Sequence, residues 1–140
     1  MANKLLLEIV TPYRLVMSEE VDEVVAPGHE GEFGVLPGHT PFLTILKLGK
    51  MSYRKGNEKW FLVLNWGYAE VGPDKVVILA EGCERAEEID IERALAAKKR
   101  AEERLAQAER KIEEIDVERS RAALMRALLR IEVAQKKKLT

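Results

Sequence analysis

Glycine, proline and aromatic residues stop abruptly near residue 82 of this 140-residue chain. All nine glycines, all five prolines and all eight aromatic residues lie in the first 82 positions, and none follows. Charged residues occupy 19 of those 82 positions but 28 of the remaining 58. Glycine and proline punctuate strands and turns, whereas a tract rich in alanine, arginine, glutamate and lysine favours helix. The break therefore predicts a β unit followed by a separate α unit, rather than alternating strands and helices.

Short apolar runs recur along the first unit and are separated by turn residues. The turns fall at residues 27–28, 37–38, 55–57 and 72–74, which combine glycine, proline, asparagine and aspartate. This spacing is typical of a sandwich or a barrel of short antiparallel strands, and the pattern does not decide between the two. The predicted strands cover residues 5–10, 21–26, 34–36, 42–46, 50–54, 60–65, 68–71 and 75–80.

The second unit predicts two helices. Asp90 is a candidate N-cap for a helix that runs to about residue 113, and Asp116 for one that runs to about residue 135. Because the break between them is short, we expect an antiparallel hairpin. Since alanine buries little apolar area, such a hairpin should be marginally stable alone and should dock on another surface. The predicted facing positions are Ala94, Ala97, Ala101 and Ala108 on the first helix, and Ala122, Met125 and Leu129 on the second.

No set of residues with enzyme chemistry stands out in the sequence. His29 and His39 are the only histidines, Cys83 is the only cysteine, and their spacing is not that of a metal site. Neither a glycine-rich phosphate loop nor a serine or cysteine beside a base is present. We therefore predict a non-catalytic regulatory or assembly subunit, with no active site of its own and no required cofactor. The alternatives are a free-standing adaptor whose hairpin forms a coiled coil with another partner and, with less support, an enzyme.

Charge and hydropathy restrict the partners. The net charge is −1, the helical arginines are balanced by glutamates, and the helical unit has no aromatic residue for base stacking, so we expect no nucleic-acid partner. The apolar runs are far shorter than the roughly 20 residues that cross a bilayer, and Met1 leads directly into a strand-like segment without a signal peptide. A single cysteine fits a reducing compartment. Any work at a membrane is expected to be peripheral.

The segment GEFGVLPGHTP, residues 31–41, is the densest local signature of the first unit. Its glycines and prolines require a defined backbone path. Two interpretations stay open, a rigid corner in which His39 makes local hydrogen bonds and a loop that contacts a partner.

Three segments of this chain resemble the epsilon subunits of bacterial F-type ATP synthases. They are LLLEIVTP at the start, PGHEGEFGVLPGHTPFL, and ERAEEIDIERALAAKKRAEERL. The resemblance covers nearly the whole chain, in the same order and at the same length. It implies an α+β fold, with an N-terminal antiparallel β-sandwich of about ten strands over residues 1–84. A C-terminal two-helix antiparallel hairpin would follow over residues 85–140.

The same resemblance implies a function. The chain would be a non-catalytic subunit of the central stalk, or rotor, of a proton-translocating ATP synthase. The sandwich would dock to the gamma subunit and the c-ring, and the hairpin would inhibit ATP hydrolysis by extending toward the alpha and beta subunits. The implied location is the cytoplasmic face of the bacterial cell membrane, peripheral and without direct insertion.

A finer resemblance concerns residues 89–94, which look like the I/L-D-x-x-R-A motif of epsilon subunits that bind ATP as a regulatory ligand. In each helix the arginines at the matching positions share one face. Two facing arginine stripes would repel unless an anion lay between them, and guanidinium groups suit phosphate oxygens, while Glu84 and Asp90 are candidates for the adenine edge. The implied ATP-binding residues are Glu84, Ile89, Asp90, Arg93, Ala94, Arg100, Arg119, Arg126 and Arg130.

The alternative interpretation is a solvated charged face held by pairs within each helix. One departure from the ATP-binding relatives bears on this choice, because the stretch from residue 105 to 119 is about three residues longer, nearly one helical turn. The insertion either lengthens the hairpin or rotates the second helix. The terminal Lys136, Lys137 and Lys138 form either a solvated tail or a contact for an acidic surface, for which the family offers the acidic loop of the beta subunit.

Overall fold

Strands precede helices along the chain, in a computed structural model that describes residues 4–110, 116–136 and 138–139. The strands are β1 (Leu5–Val10), β2 (Leu15–Val21), β3 (Glu23–Gly28), β4 (Gly31–Val35), β5 (Phe42–Leu46), β6 (Gly49–Lys55), β7 (Glu58–Val71) and β8 (Lys75–Arg85). A 3-10 helix (Ala86–Glu88), α1 (Ile91–Arg110), α2 (Val117–Lys136) and a short β9 (Lys138–Leu139) follow. The predicted β-sandwich and helical hairpin are confirmed, with eight strands before the helices where about ten were expected.

The strands pair in the order β2-β1-β8-β7-β5-β3-β4, with β6 paired to both β3 and β7. The pairing is antiparallel except between β1 and β8, which run parallel. The sequence predicted antiparallel strands throughout, and this pair is the exception. Parallel neighbours need a long connection, and here the chain from β2 to β7 provides it between β1 and β8.

Alternate residues of the strands build the core of the sandwich. In β1, Leu5, Leu7 and Ile9 are fully buried, while the residues between them are partly exposed. This period of two is what a half-buried strand requires. The buried cluster extends through the first eight strands, and within the described part of the chain neither helix contributes to it.

Two strand predictions were wrong in detail. Strand β2 was not predicted, because the polar run at residues 18–20 hides its alternation; β2 is an edge strand, whose outer face can be polar. The predicted strands 60–65 and 68–71 are one strand, β7. Its first half pairs with β6 and its second half with β5, and the chain changes partner at Trp66 and Gly67, where φ is 50° and 153°.

The predicted helix caps are confirmed. The Asp90 carboxylate accepts a hydrogen bond from the backbone N–H of Arg93 at 3.1 Å, and that of Asp116 accepts one from Arg119 at 3.0 Å. The expected end of the first helix near residue 113 lies outside the described residues, as do most of the break and Lys137. The second helix ends at Lys136, one residue beyond the expected end.

Small residues line the seam between α1 and α2. Ala94 and Ala101 are buried on α1, and Ser120 and Ala127 are buried on α2. The expectation that Met125 and Leu129 face α1 was wrong, since Met125 is 62% exposed and Leu129 packs against the apolar cluster between α2 and the sandwich. Met125 lies two residues from Ala127, which is about 200° around the helix and so on the opposite side.

The other side of α2 packs on the sandwich. Val133 and Ala134 are fully buried in a second apolar cluster with Phe61 and Val63 of β7. Next to them, β9 pairs with residues 59–60 of β7. The predicted domain boundary between residues 84 and 85 falls within the end of β8, and it stays a prediction. None of the described helices is long and apolar enough to cross a membrane.

Candidate functional site

The structure brings three of the predicted ATP-binding residues to one small cavity. Glu84 comes from the end of β8, and Arg126 and Arg130 lie one turn apart on the sandwich-facing side of α2. The cavity holds about 230 Å³ between the sheet and the helix. It is lined by Leu48, Val63, Asn65, Gly82, Cys83, Glu84, Arg126 and Arg130.

Two ion pairs of opposite polarity anchor α2 above this cavity. Lys50, Val63 and Glu84 form one row across β6, β7 and β8. On one side of Val63, the Arg130 Nε donates to Glu84 Oε1 at 2.8 Å; on the other, Lys50 Nζ lies 3.8 Å from the Glu132 carboxylate. Because the charges alternate, a reversed helix would place like charges together, so the pairs favour one orientation of α2.

Arg126 offers a cation to a ligand in the cavity. Its side chain is half-buried, and the described part of the chain gives it no ion pair and no side-chain hydrogen bond. Arg130 is committed to Glu84, so a phosphate group would compete with that carboxylate for its guanidinium. The cavity is smaller than the roughly 300–1,000 Å³ of ordinary ligand pockets. A nucleotide would therefore extend beyond it or widen it.

Ile89, Asp90 and Ala94 have structural tasks at the start of α1. Ile89 is 9% exposed in the second apolar cluster, and Ala94 is 2% exposed against α2. The Asp90 carboxylate caps α1, so one of its acceptor positions is already used. Packing and capping therefore account for these three residues of the 89–94 motif without any ligand.

Arg93, Arg100 and Arg119 lie elsewhere on the hairpin. Their side chains are exposed, they do not line the cavity, and the described residues give their side chains no ion pair. The arginines stand beside the seam, whose buried positions are held by alanine and serine. The structure thus gathers three of the nine predicted residues, and ATP binding by the whole set stays a prediction.

Cys83 also contributes to the lining of this cavity, and its side chain packs against the core of the sandwich. Burial, with a smaller effect of the Glu88 carboxylate, raises the pKa of the Cys83 thiol to about 12. A thiol with that pKa stays protonated at neutral pH and is a poor nucleophile.

Sequence reasoning missed the residues that bring α2 to this place. Lys50 and Glu132 are 82 positions apart, and their meeting depends on the register of β6 on β7. Asn65 and Gly82, which also line the cavity, are opposite each other in β7 and β8. No local motif marks such pairs, because strand register is a long-range property.

The chain matches known proteins over both units. Residues 4–86 match the family described as the ATP synthase delta/epsilon chain β-sandwich domain, and residues 87–135 match its long α-helix domain. An ATP synthase epsilon chain of Geotalea uraniireducens is 61% identical over 75% of this chain and 76% of that relative. One from Geobacter sulfurreducens is 59% identical over 73% and 74%.

The fold also resembles a chain in a structure of the Euglena gracilis mitochondrial ATP synthase that contains OSCP, F1 and the c-ring. The TM-score is 0.67 at 22% identity, and the match covers 96% of this chain and 79% of that one. Another resemblance, with a TM-score of 0.52 at 14% identity, is to a chain in a Tetrahymena thermophila central stalk and c-ring structure, over 95% of both chains. At these identities the likeness shows the fold. From the sequence matches over both of its units, the chain belongs to the ATP synthase delta/epsilon family, and the relatives that it resembles are epsilon chains.

Proposed function

We propose that this chain is a non-catalytic central-stalk subunit of a proton-translocating F-type ATP synthase. It links the gamma subunit to the c-ring, and its hairpin inhibits ATP hydrolysis at the alpha and beta subunits. The observation that carries the proposal is the pair of adjacent family matches, which account for residues 4–135 in one order. The proposed place is peripheral, on the cytoplasmic face of the bacterial cell membrane.

An exposed apolar face of the sandwich supports docking to the gamma subunit. Ile45, Tyr68 and Leu79 are aligned across β5, β7 and β8, and they are 52%, 56% and 53% exposed. Trp66 stands beside them at the edge of a groove of about 770 Å³. Side chains of this size left in water on neighbouring strands are typical of a protein interface.

Co-purification of the chain with its complex tests this assignment. The intact chain should bring down gamma and c subunits. Tyr68→Glu and Leu79→Glu should weaken that capture, because each buries a charge in the interface. Leu95→Glu, on the exposed face of α1, serves as the matched control. Capture of an unrelated coiled-coil partner without gamma or c would support the adaptor alternative.

The inhibitory role is proposed for the hairpin. Its small residues and limited contact with the sandwich are consistent with compact and extended states that differ by only a few kcal/mol. Truncation after residue 83 should therefore raise ATP hydrolysis by the assembled complex and leave assembly intact. Unchanged hydrolysis in an assembled, truncated complex would contradict this role.

We also propose ATP as a regulatory ligand of the compact hairpin, held by Arg126 and Arg130 and by the rest of the predicted set. The support is a half-buried Arg126 without an ionic partner in the described residues, beside Glu84 and Arg130. Each charged hydrogen bond to phosphate is worth roughly 1.5–3 kcal/mol, so its loss should weaken binding about ten- to a hundredfold.

Calorimetric titration of the isolated chain with ATP tests the ligand. Arg126→Ala and Arg93→Ala should each lower the affinity by that factor, whereas Arg110→Ala, at the end of α1, should have little effect. If no heat of binding appears at millimolar ATP, the longer stretch between residues 105 and 119 has placed the arginines out of register, and they serve only the extended state.

A further inference from the structure

Three lysine side chains surround the ring of Phe61. The ammonium groups of Lys50, Lys59 and Lys136 lie 5.8, 6.0 and 5.4 Å from the ring centroid. They come from β6, β7 and the last residue of α2. The ring, which is 6% exposed, attracts each cation through its negative face. We call Lys50, Lys59 and Lys136 the lysine cluster.

The cluster carries more positive than negative charge. Within the described residues, only Lys50 has a carboxylate within ion-pair distance, that of Glu132 at 3.8 Å. The C-terminus of α2 adds an equivalent of about half a negative charge. Among the described residues, more than one positive charge is left without compensation. Because each ammonium lies within 6.0 Å of one point, no two of them are more than about 12 Å apart.

The cluster exists only while α2 is docked. Lys50 and Lys59 belong to the sandwich, whereas Lys136 belongs to the helix that Val133 anchors beside Phe61. Undocking of α2 would remove Lys136 and relieve the repulsion among the three cations. A ligand that needs all three therefore binds the docked state and stabilises it, by the ordinary linkage between binding and conformation.

We propose that the lysine cluster binds a polyvalent phosphate anion, which holds the end of α2 against the sandwich. Phosphate oxygens suit lysine as a point charge, and a polyvalent anion offsets more than one ammonium at once. The lysine cluster is separate from the cavity at Arg126 and Arg130, because neither its three lysines nor Phe61 line that cavity. The proposal therefore goes beyond the ATP site proposed above.

Calorimetry of the full chain with inorganic pyrophosphate, at constant ionic strength set by chloride, tests the proposal. Lys59→Gln and Lys136→Gln should each weaken pyrophosphate binding roughly tenfold. Lys99→Gln removes an exposed lysine of α1 away from the cluster and should have no effect. Pyrophosphate should also slow hydrogen exchange of the amides at residues 129–136 in the unmodified chain and not in Lys136→Gln.

Three outcomes would overturn the lysine cluster as a site. The first is that pyrophosphate does not bind at millimolar concentration. The second is that Lys99→Gln weakens pyrophosphate binding as much as the cluster variants do. The third is that Arg126→Ala weakens it while Lys59→Gln and Lys136→Gln do not. The last would place the phosphate in the cavity. If pyrophosphate binds while ATP does not, the lysine cluster stands and the ATP proposal fails. If ATP competes with pyrophosphate in the Arg126→Ala variant, the natural ligand of the lysine cluster is a nucleotide. If ATP does not compete, the ligand is an inorganic anion.

Discussion

Trp66 and Gly67 stand where β7 passes from one partner strand to the next. Both have φ in the left-handed region, 50° for Trp66 and 153° for Gly67. A bulky residue in that region costs about 1–3 kcal/mol, and such strain persists only where the surroundings impose it. The surroundings here are tight, since a Cβ at Gly67 would lie 2.1 Å from the Leu79 carbonyl oxygen. The Trp66 ring is thereby presented at the edge of the exposed apolar face.

Gly67→Ala should destabilise the sandwich by more than about 2 kcal/mol, because the new methyl group meets backbone and the residue must keep a strained φ. Gly34→Ala is the matched control, since a Cβ at Gly34 meets nothing within 4 Å. The measurement is the free energy of unfolding in urea. Equal stability of the two variants would show that β7 can move away from β8 at this corner.

Two buried groups make the stability depend on alkaline pH. Burial raises the pKa of Cys83 and of Tyr53 to about 12. In the unfolded chain these groups lose their protons from about pH 8.5 and pH 10. The folded state thus holds protons that the unfolded state releases. Their contribution to stability is complete below about pH 8.5 and declines as pH rises toward 12.

Urea unfolding between about pH 8.5 and 10 should therefore show a falling free energy, with a slope of at most about 1.4 kcal/mol per pH unit for the thiol. Cys83→Ala should make the decline shallower in this interval, where Tyr53 contributes little. A decline of the same slope in the variant would assign it to other groups.

Elements with local signals were predictable and elements set by distant contacts were not. Asp90 and Asp116 made the starts of their helices predictable, because an N-cap acts on a backbone N–H only three residues away. The edge strand β2 carries charges that only its pairing with β1 explains. The same limit applies to the site. Sequence spacing identified arginines that share a helix face, but the docking of α2 selected Arg126 and Arg130 for the cavity and left Arg93, Arg100 and Arg119 outside it.

Val133 is a central residue of the apolar cluster that, together with two ion pairs, docks α2 on the sandwich. Val133→Asp should undock the helix, because it puts a charge among Phe61, Val63 and Ala134. Amides of α2 should then exchange hydrogen faster, while those of β1 keep their protection. Leu95→Asp, at a position of α1 that is 47% exposed, is the control. If β1 loses protection as well, the two units unfold together.

At the scale of the whole molecule, two separate apolar clusters stabilise the fold. The larger is built from the first eight strands, and the smaller joins the sandwich to the 3-10 helix and α2. The larger cluster holds most of the fully buried large side chains, among them Leu5, Leu62 and Ile78. Because the sandwich has a core of its own, it meets the requirement for a unit that folds separately.

A fragment of residues 1–84 should therefore fold without the helices. Its near-ultraviolet circular dichroism should show a cooperative thermal transition, at a lower temperature than that of the full chain because Phe61 and Val63 lose their cover. Loss of the cooperative transition would show that the helices belong to the core and that the boundary at residue 84 is misplaced.

The position of Trp60 gives the molecule an optical reporter of its own conformation. Its indole stacks on the Tyr53 ring, with centroids 5.4 Å apart and planes 11° from parallel. Its backbone pairs with Lys138 of β9, which follows directly after α2. Departure of the hairpin removes β9 from this edge and so changes the surroundings of Trp60, and its fluorescence should change with it. In a Trp66→Phe background the emission of a single tryptophan would follow the hairpin in real time, without a dye.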